Sequence, residues 1–514
     1  MVFQKGRVVF AENSVDDSQV WSIKVFNTVE EDPTPSCDNN PPHTPLHILQ
    51  RPSGEGRPAS TPYLNGDGSV YYPVQASSAW GGGGKGGKIL LVDKNNTIVW
   101  EDLFEGSASP SISGDIQAHH DIAIKPMTAA EIQAGQKFPN IFILCWEYIT
   151  PADSTISNKS NGTATWSEAI YEIKPNIEQG TGYTTIWEWH LWNHTALYTD
   201  ASKPYSKMNI NSWDPSLYTG WTPEGNGTGD WLHLNSIDYN PELQQISLSA
   251  RFLNEIYIID YTAPTESPTV YNTPNPTTFS TGGNAGVGGD FLYRWGNSQV
   301  FDYSTFDDTH RILGGQHSAN WVKHGTNKGN MTLFNNFRPS TGDSEILEFI
   351  PPLNPGLYTY DTTVIPTPVL TIRQLRFPNG TPITSFNSNR QSSAQRLENN
   401  NILICSASQG TIYEVEPSTT PEEATVRWCY SSGENNILRA FKIPLKGDFS
   451  LDGELAVNDL VGIINNIILD NGSYTFEQLQ LANVNESNTG NTLLQYINIL
   501  DITTLVNTIL SNIG

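Results

Sequence analysis

The chain has 514 residues, 37% hydrophobic and only 16% charged, with 42 Gly and 33 Pro. That length accommodates one large domain and a small one, and that composition suits short strands joined by many turns. The net charge of −25 excludes nucleic acid as a partner, because phosphate contacts need a basic footprint, and argues against anionic membranes.

Residues 1–59 hold two strand patterns, GRVVFAEN and WSIKVFN, followed by the Pro-rich loop EDPTPSCDNNPPHTP; they are expected to belong to the same domain as residues 60–444. The start, MVFQKGRVVF, shows no apolar core or cleavage site of a signal peptide. From 60 to 444 short strands alternate with turn clusters. KILLVDKNNTIVWEDLF reads as a hairpin around Lys-Asn-Asn, and AIYEIKPN with TTIWEWHLW as a second strand pair. EIYIIDYT, EILEFIPP and TIYEVEPS are later strands of the same type. The insert 190–232 carries Trp192, Tyr198, Trp213, Tyr218, Trp221 and Trp231, either as a roof over a site or as a packed loop. No run of about 18 apolar residues occurs, so no membrane span is expected.

Four cysteines, Cys37, Cys145, Cys405 and Cys429, are too few for a disulfide framework in a chain this long. Cys405 and Cys429 fall on the first and third strands of a meander, about 10 Å apart, so they are expected to be free or paired elsewhere. GGGGKGG at 81–87 lacks the Lys-Ser/Thr ending and following helix of a phosphate loop and reads as an inter-strand loop.

The strands form a weak repeat. Each unit opens on a polar or histidine signature with an apolar strand, as in QAHHDIAIKP, WLHLNSIDYN and GGQHSANWV; a turn, a second strand such as NIFILCWEY, QQISLSAR, MTLFNNF or NILICSA, and an outer strand follow. A fourth unit has Ser392 and Ser393 at the histidine position. This layout predicts an all-β fold, a β-propeller, whose first strands line one channel. Histidines far apart in sequence would then meet on its axis.

From 447 to 514 there is no Lys or Arg, and eight residues are acidic. NDLVGIINNIIL (458–469) and LDITTLVNTIL (500–510) have helical apolar spacing. Ahead of the first, Asp448, Ser450, Asp452, Glu454 and Asp459 occupy positions 1, 3, 5, 7 and 12 of a calcium-type loop with Gly453 at position 6. In the second copy, Asn483 and Asn485 hold positions 1 and 3, but an insertion displaces Asp501. The segment resembles a dockerin module, which implies one structural Ca2+ ion and a cohesin-like partner.

Together, His119, His120, His233, Asn235, Arg251 and His317 offer a nucleophile, proton carriers and donors for an anion's oxygens. Three histidines also suit zinc or copper. HHDIAIKP, GDWLHLNSIDYNPELQQISLSAR, GGDFLYRWGN, GGQHSANWV, FNNF, SAQRLENNNILI and LRAF resemble, in order over roughly 60–444, the bacterial aryl-sulfate sulfotransferases. The most specific motifs are His-x-Asn, with Arg eighteen residues after the His, and Gln-His. The resemblance implies a propeller of six blades and transfer of a sulfuryl group from a phenolic sulfate donor to a phenol acceptor through a sulfohistidine, without a nucleotide sulfate donor or other organic cofactor. It implies His317 as nucleophile, with His233, Asn235, Arg251 and one of His119 and His120 binding oxygens and moving protons. It also implies a periplasmic or extracellular location. The same residues would serve hydrolysis. The alternative is a catalytically inactive extracellular scaffold or filament component displayed through its C-terminal module.

Overall fold

The computed structural model describes residues 6–13, 21–28, 37, 47–50, most of 52–443, and 459–461, 464, 502 and 504–506; within 52–443 the longer stretches left out are 105–114, 150–164, 195–229, 267–278 and 298–310. The described chain is nearly all β. The first strands, β1 (Gly6–Asn13), β2 (Trp21–Thr28) and β3 (His47–Gln50), are followed by β4 (Tyr63–Leu64), β5 (Val70–Gln75), β6 (Gly87–Val92) and β7 (Ile98–Leu103). Next come β8 (Ile116–Lys125), β9 (Asn140–Ile149), β10 (Thr165–Pro175) and β11 (Tyr183–His190), a one-turn helix α1 (Leu191–His194), then β12 (Leu234–Asn240), β13 (Gln245–Ala250), β14 (Glu255–Asp260) and β15 (Tyr293–Trp295). The last strands are β16 (His317–Trp321), β17 (Met331–Asn335), β18 (Glu345–Phe349), β19 (Leu370–Arg376), β20 (Ser393–Arg396), β21 (Ile402–Ser406), β22 (Thr411–Pro417), β23 (Glu422–Ser431) and β24 (Ile437–Ile443).

Four sheets have four strands each: β4–β7, β8–β11, β12–β15, and β24 joined to β1, β2 and β3. An eight-stranded sheet consists of two meanders, β16–β19 and β20–β23, whose outer strands β19 and β23 pair in parallel. The expected hairpin forms at β6–β7: Asp93 Oδ1 accepts from the Asn95 and Thr97 amides (2.9 and 2.8 Å), and Asn96 takes φ 65°. This is the local carboxylate bonding that favours Asp in turns. Strands β13 and β14 are buried at every residue; they lack the alternation of a half-exposed sheet because their faces are covered on both sides.

The core lies between sheets, in a series of clusters. Leu49 packs on Val70 and Leu90. Tyr71 and Leu91 meet Ala118 and Ile143, and Phe142 and Ile170 meet Leu234 and Leu248. Ile258 and Trp295 meet Trp321 and Leu333, and Phe334 and Ile346 meet Ile404 and Val415. Leu403 and Trp428 then meet Val8 and Phe10, returning to the sheet where the series began. Truncating a central residue such as Leu248 to Ala should cost about 2–5 kcal/mol. Cys37 and Cys429 form a disulfide, while Cys145 and Cys405 are buried free thiols. As the meander order implied, β22 separates Cys405 from Cys429.

In the C-terminal segment, 459–461, 464, 502 and 504–506 are helical, with Asp459 and Leu505 buried. Asp448, Ser450, Asp452 and Glu454 lie outside the described residues, as does most of the predicted aromatic roof beyond His194.

Candidate active site

Four first strands share a backbone device. His120, His233, Ser318 and Ser392 all take positive φ (47°, 56°, 59° and 85°), an uncommon conformation for residues with a side chain. Around the first three, the pairing register shifts: between Ala118 and Ile122, Leu234 and Ser236, and His317 and Asn320. Such bulges re-aim side chains at functional sites. They also correct the sequence repeat. His120 and His233 are themselves the left-handed residues, whereas His317 stands one residue before its own, Ser318.

These turns bring His120, His233 and His317 together. His120 Nε2 lies 2.8 Å from His233 Nε2, and the His120 and His317 ring centroids are 6.5 Å apart. His233 Nδ1 is 2.6 Å from Asp230 Oδ2. His317 Nδ1 faces two acceptors, Asn336 Oδ1 at 2.7 Å and the Gly315 carbonyl at 3.0 Å, while the Gln391 N–H donates to its Nε2 at 3.2 Å. Arg251 reaches the same place through the β12–β13 hairpin. Leu234 pairs with Ala250, and the Arg251 N–H donates to the His233 carbonyl at 3.2 Å. The eighteen-residue spacing thus converts into side-by-side placement. The Arg251 guanidinium lies over Phe252, itself packed on His233. Asn235 donates to the carbonyl of Gln316, next to His317, at 2.7 Å.

The electrostatics disfavour charge on His120 and His317. Burial pushes His120 well below the usual range, reinforced by the neighbouring histidines and Arg251. Burial also lowers His317, with Arg251 adding to it and the Asn336 hydrogen bond opposing it. A buried neutral imidazole keeps a lone pair for chemistry. The 2.8 Å contact between His120 and His233 suits one shared proton. Zinc bridging them at roughly 2.0–2.1 Å from each nitrogen would hold the nitrogens wider apart.

The structure separates His119 from His120. His119 turns away, stacks on Trp146 (4.2 Å, 4°) and meets Glu168 Oε2 at 2.7 Å. Burial pushes His119 down to about 3 and the Glu168 carboxyl up. Beneath the site, Asp121 accepts from Tyr63 (2.7 Å) and Arg439, which in turn reaches Asn320 at 3.0 Å.

Four contributors were not legible in the sequence: Gly84, Asp230, Asn336 and Gln391. Gly84 comes from the glycine loop whose pattern suggests only a connector. Its carbonyl accepts from the His120 N–H at 2.7 Å, and a Cβ there would lie 2.0 Å from His120 Nε2. Asn336 sits within FNNF, a motif that carries part of the family resemblance without an assigned role.

An arylsulfotransferase (ASST) family profile matches residues 155–439, more than half of the chain and the stretch that carries His233, Asn235, Arg251, His317 and Asn336. The chain belongs to the arylsulfotransferase family. No curated protein matches it significantly. Among solved structures it is similar to a protein of unknown function from Bacteroides caccae (10% identity, 86% of this chain and 99% of that one, TM-score 0.39). It is also similar to a Lactobacillus plantarum protein (8%, 85% and 99%, TM-score 0.38) and to a periplasmic gluconolactonase of Pseudomonas aeruginosa (7%, 85% and 99%, TM-score 0.36). Among the described residues, no helix is long and apolar enough to cross a membrane.

Proposed function

We propose that the protein transfers a sulfuryl group from a phenolic sulfate ester to a phenol through a sulfohistidine at His317. The observation that carries this reading is His317 itself: buried and held by its Nδ1 partners, with its Nε2 accepting from the Gln391 N–H and the His120 ring 6.5 Å away. The Nε2 lone pair attacks sulfur and the S–O bond to the aryl group breaks. The leaving phenolate takes the proton held between His120 and His233, whose positive form Asp230 would stabilise. Arg251 and the remaining amide hydrogen of Asn235 hold the sulfuryl oxygens as charge shifts onto the leaving oxygen. In the second half-reaction, the acceptor phenol returns its proton to the histidine pair, its oxygen attacks sulfur, and the S–N bond breaks. The two halves together leave the site as it began, and no nucleotide donor is needed.

The six four-stranded units would be the blades of a propeller. The closed series of inter-sheet cores and the joining of β24 to β1 support this; with β8, β12 and β16 as neighbouring first strands, the histidines would stand at its centre. The C-terminal segment would hold one calcium ion through Asp448, Ser450, Asp452, Glu454 and Asp459. The calcium-loop spacing supports this, as does the buried carboxylate of Asp459 at the opening of a helical stretch. A cohesin-like docking partner and an exported location follow from the same resemblances.

Intact mass after brief mixing with an aryl sulfate, without acceptor, tests the chemistry. One added sulfuryl group is expected, absent in His317→Ala, together with loss of turnover by about 10³-fold or more. No adduct and no released phenol would leave the inactive scaffold as the better reading. Native mass of the same sample should show one bound calcium, lost in Asp448→Ala; unchanged calcium in that variant would remove the loop assignment.

A further inference from the structure

His233 and His317, two histidines of the site, are held at Nδ1 by partners of different kind. His233 meets a carboxylate, Asp230 (2.6 Å); His317 meets a side-chain amide, Asn336 (2.7 Å). The orientation of that amide is fixed by its surroundings. Asn336 Nδ2 points at the carbonyls of Ser388 (2.9 Å) and Gln391 (3.2 Å), which can only accept. The oxygen must therefore be the atom turned to His317. Gly315 presents a second carbonyl to the same nitrogen, and the Gln391 N–H, which can only donate, is aimed at Nε2. Four backbone groups and one amide thus agree on where the ring proton sits.

Resting on the reading of His317 as nucleophile, we infer that Asn336 is its positioning residue: the Asn336 side-chain oxygen fixes the ring proton on Nδ1, so that Nε2 keeps the lone pair that attacks sulfur. An amide is the right partner for both half-reactions. As the N–S bond forms, the ring gains positive charge, and Asn336 Oδ1 accepts from the increasingly acidic Nδ1–H. A carboxylate would do this more strongly, but it would also favour a second proton on the free ring and make the sulfated ring a poorer leaving group. His233, paired with Asp230, is built for the opposite task of carrying a proton. The charged or titratable groups facing His317 are Arg251 from the turn after β13, His233 ahead of β12, and His120 in β8; β17 is followed by the neutral Asn336, and the loop before β20 contributes the Gln391 amide.

The test is the pH profile of sulfuryl transfer onto the enzyme, followed by quenched-flow intact mass with an aryl sulfate. In Asn336→Asp, the acid limb of adduct formation should move up by about one pH unit, and discharge of the adduct to added phenol should slow. In Asn336→Leu, adduct formation should slow by about tenfold or more, with little change in KM. A purely structural role would lower stability without moving the limb. Independently of either variant's folding, 15N spectra of histidine-labelled wild type should show His317 protonated at Nδ1 and bare at Nε2. A limb that coincides with wild type in Asn336→Asp, or a His317 protonated at Nε2, overturns the inference. A wild-type enzyme that takes no sulfuryl group overturns the sulfohistidine reading instead, and the spectrum still decides the tautomer.

Discussion

Among the described residues, two clusters of buried histidines are pushed in opposite directions. In the candidate site, His120 and His317 sit among other histidines, Arg251 and an amide, and are held low. Near the outer strands, His190 and His194 are each held at both ring nitrogens by carboxylates. His190 meets Glu147 (2.9 Å) and Glu188 (3.3 Å); His194 meets Glu266 (2.5 Å) and Asp290 (2.8 Å). Burial works against their charge, but Glu147 and Glu188 outweigh it and push His190 up to about 10, and Glu266 and Asp290 raise His194. Burial alone therefore does not set a histidine's role. Its ring-nitrogen partners decide whether it keeps a lone pair for chemistry or becomes a permanent cation that ties strands together. The outer cluster joins β9, β11, α1, Glu266 and Asp290, and has the character of a structural anchor.

The sharpest way to break this contrast is to replace one histidine from each cluster. His120→Gln removes the ring that shares a proton with His233 while keeping a polar group, so kcat/KM should fall by about 10²-fold or more with the fold intact. His190→Gln should lower thermal stability while leaving the sulfuryl adduct at His317 intact. Turnover kinetics and melting curves on both variants check this. Equal activity losses in the two would mean that the clusters do not divide into chemistry and anchoring.

Much of the fold could be read from the sequence, because strands such as β13 (QISLSA), β17 (MTLFN) and β21 (ILICS) are short segments carrying apolar residues and bounded by turns. The recurrence of histidine at first strands pointed to one meeting place, and His120, His233 and His317 do meet. Their partners were hidden for physical reasons. Asp230 reaches His233 from just ahead of β12, without a spacing that marks it. Asn336 is an uncharged residue at a strand end, and its importance lies only in which atom it turns to His317. Gln391 contributes a backbone N–H, which no side-chain pattern encodes. The choice between His119 and His120 depends on the bulge at 118–122, since a shift of one residue exchanges the faces of a strand.

The same contrast should appear in stability against pH. His190 is raised from 6.5 to about 10 in the fold, so its stabilisation is fully present below about pH 6.5 and is lost as pH climbs toward 10. His120 and His317 lie below 6.5 in the fold; their contribution is present above 6.5 and is lost as pH falls. Melting curves should show wild type ahead of His190→Gln by about 2 °C or more near pH 6.5, the advantage shrinking toward pH 10. A difference that stays constant over this range would mean that His190 does not hold its proton as the carboxylates imply.

The smallest effect on activity is expected within the dipeptide that the sequence left undecided. His119 and His120 are adjacent and both buried, yet the left-handed turn at His120 sends their rings to different surroundings. His119 is packed flat on Trp146 and bonded to Glu168, whose other oxygen accepts from the Leu234 N–H at 2.8 Å. That chain supports the start of β12, one residue after His233, without presenting a ring nitrogen to His317. In His119→Gln, the side-chain amide can still hydrogen-bond to Glu168, but the stacking is lost, at a cost of about 1 kcal/mol. The melting temperature should drop, while kcat/KM stays within about threefold of wild type, a change worth under about 0.7 kcal/mol. Parallel kinetics on His119→Gln and His120→Gln make the comparison. If His119→Gln proved the more damaging to kcat, the proton shared between His120 and His233 could not be the one delivered to the leaving phenolate, and the path would have to run through His119 and Glu168 instead.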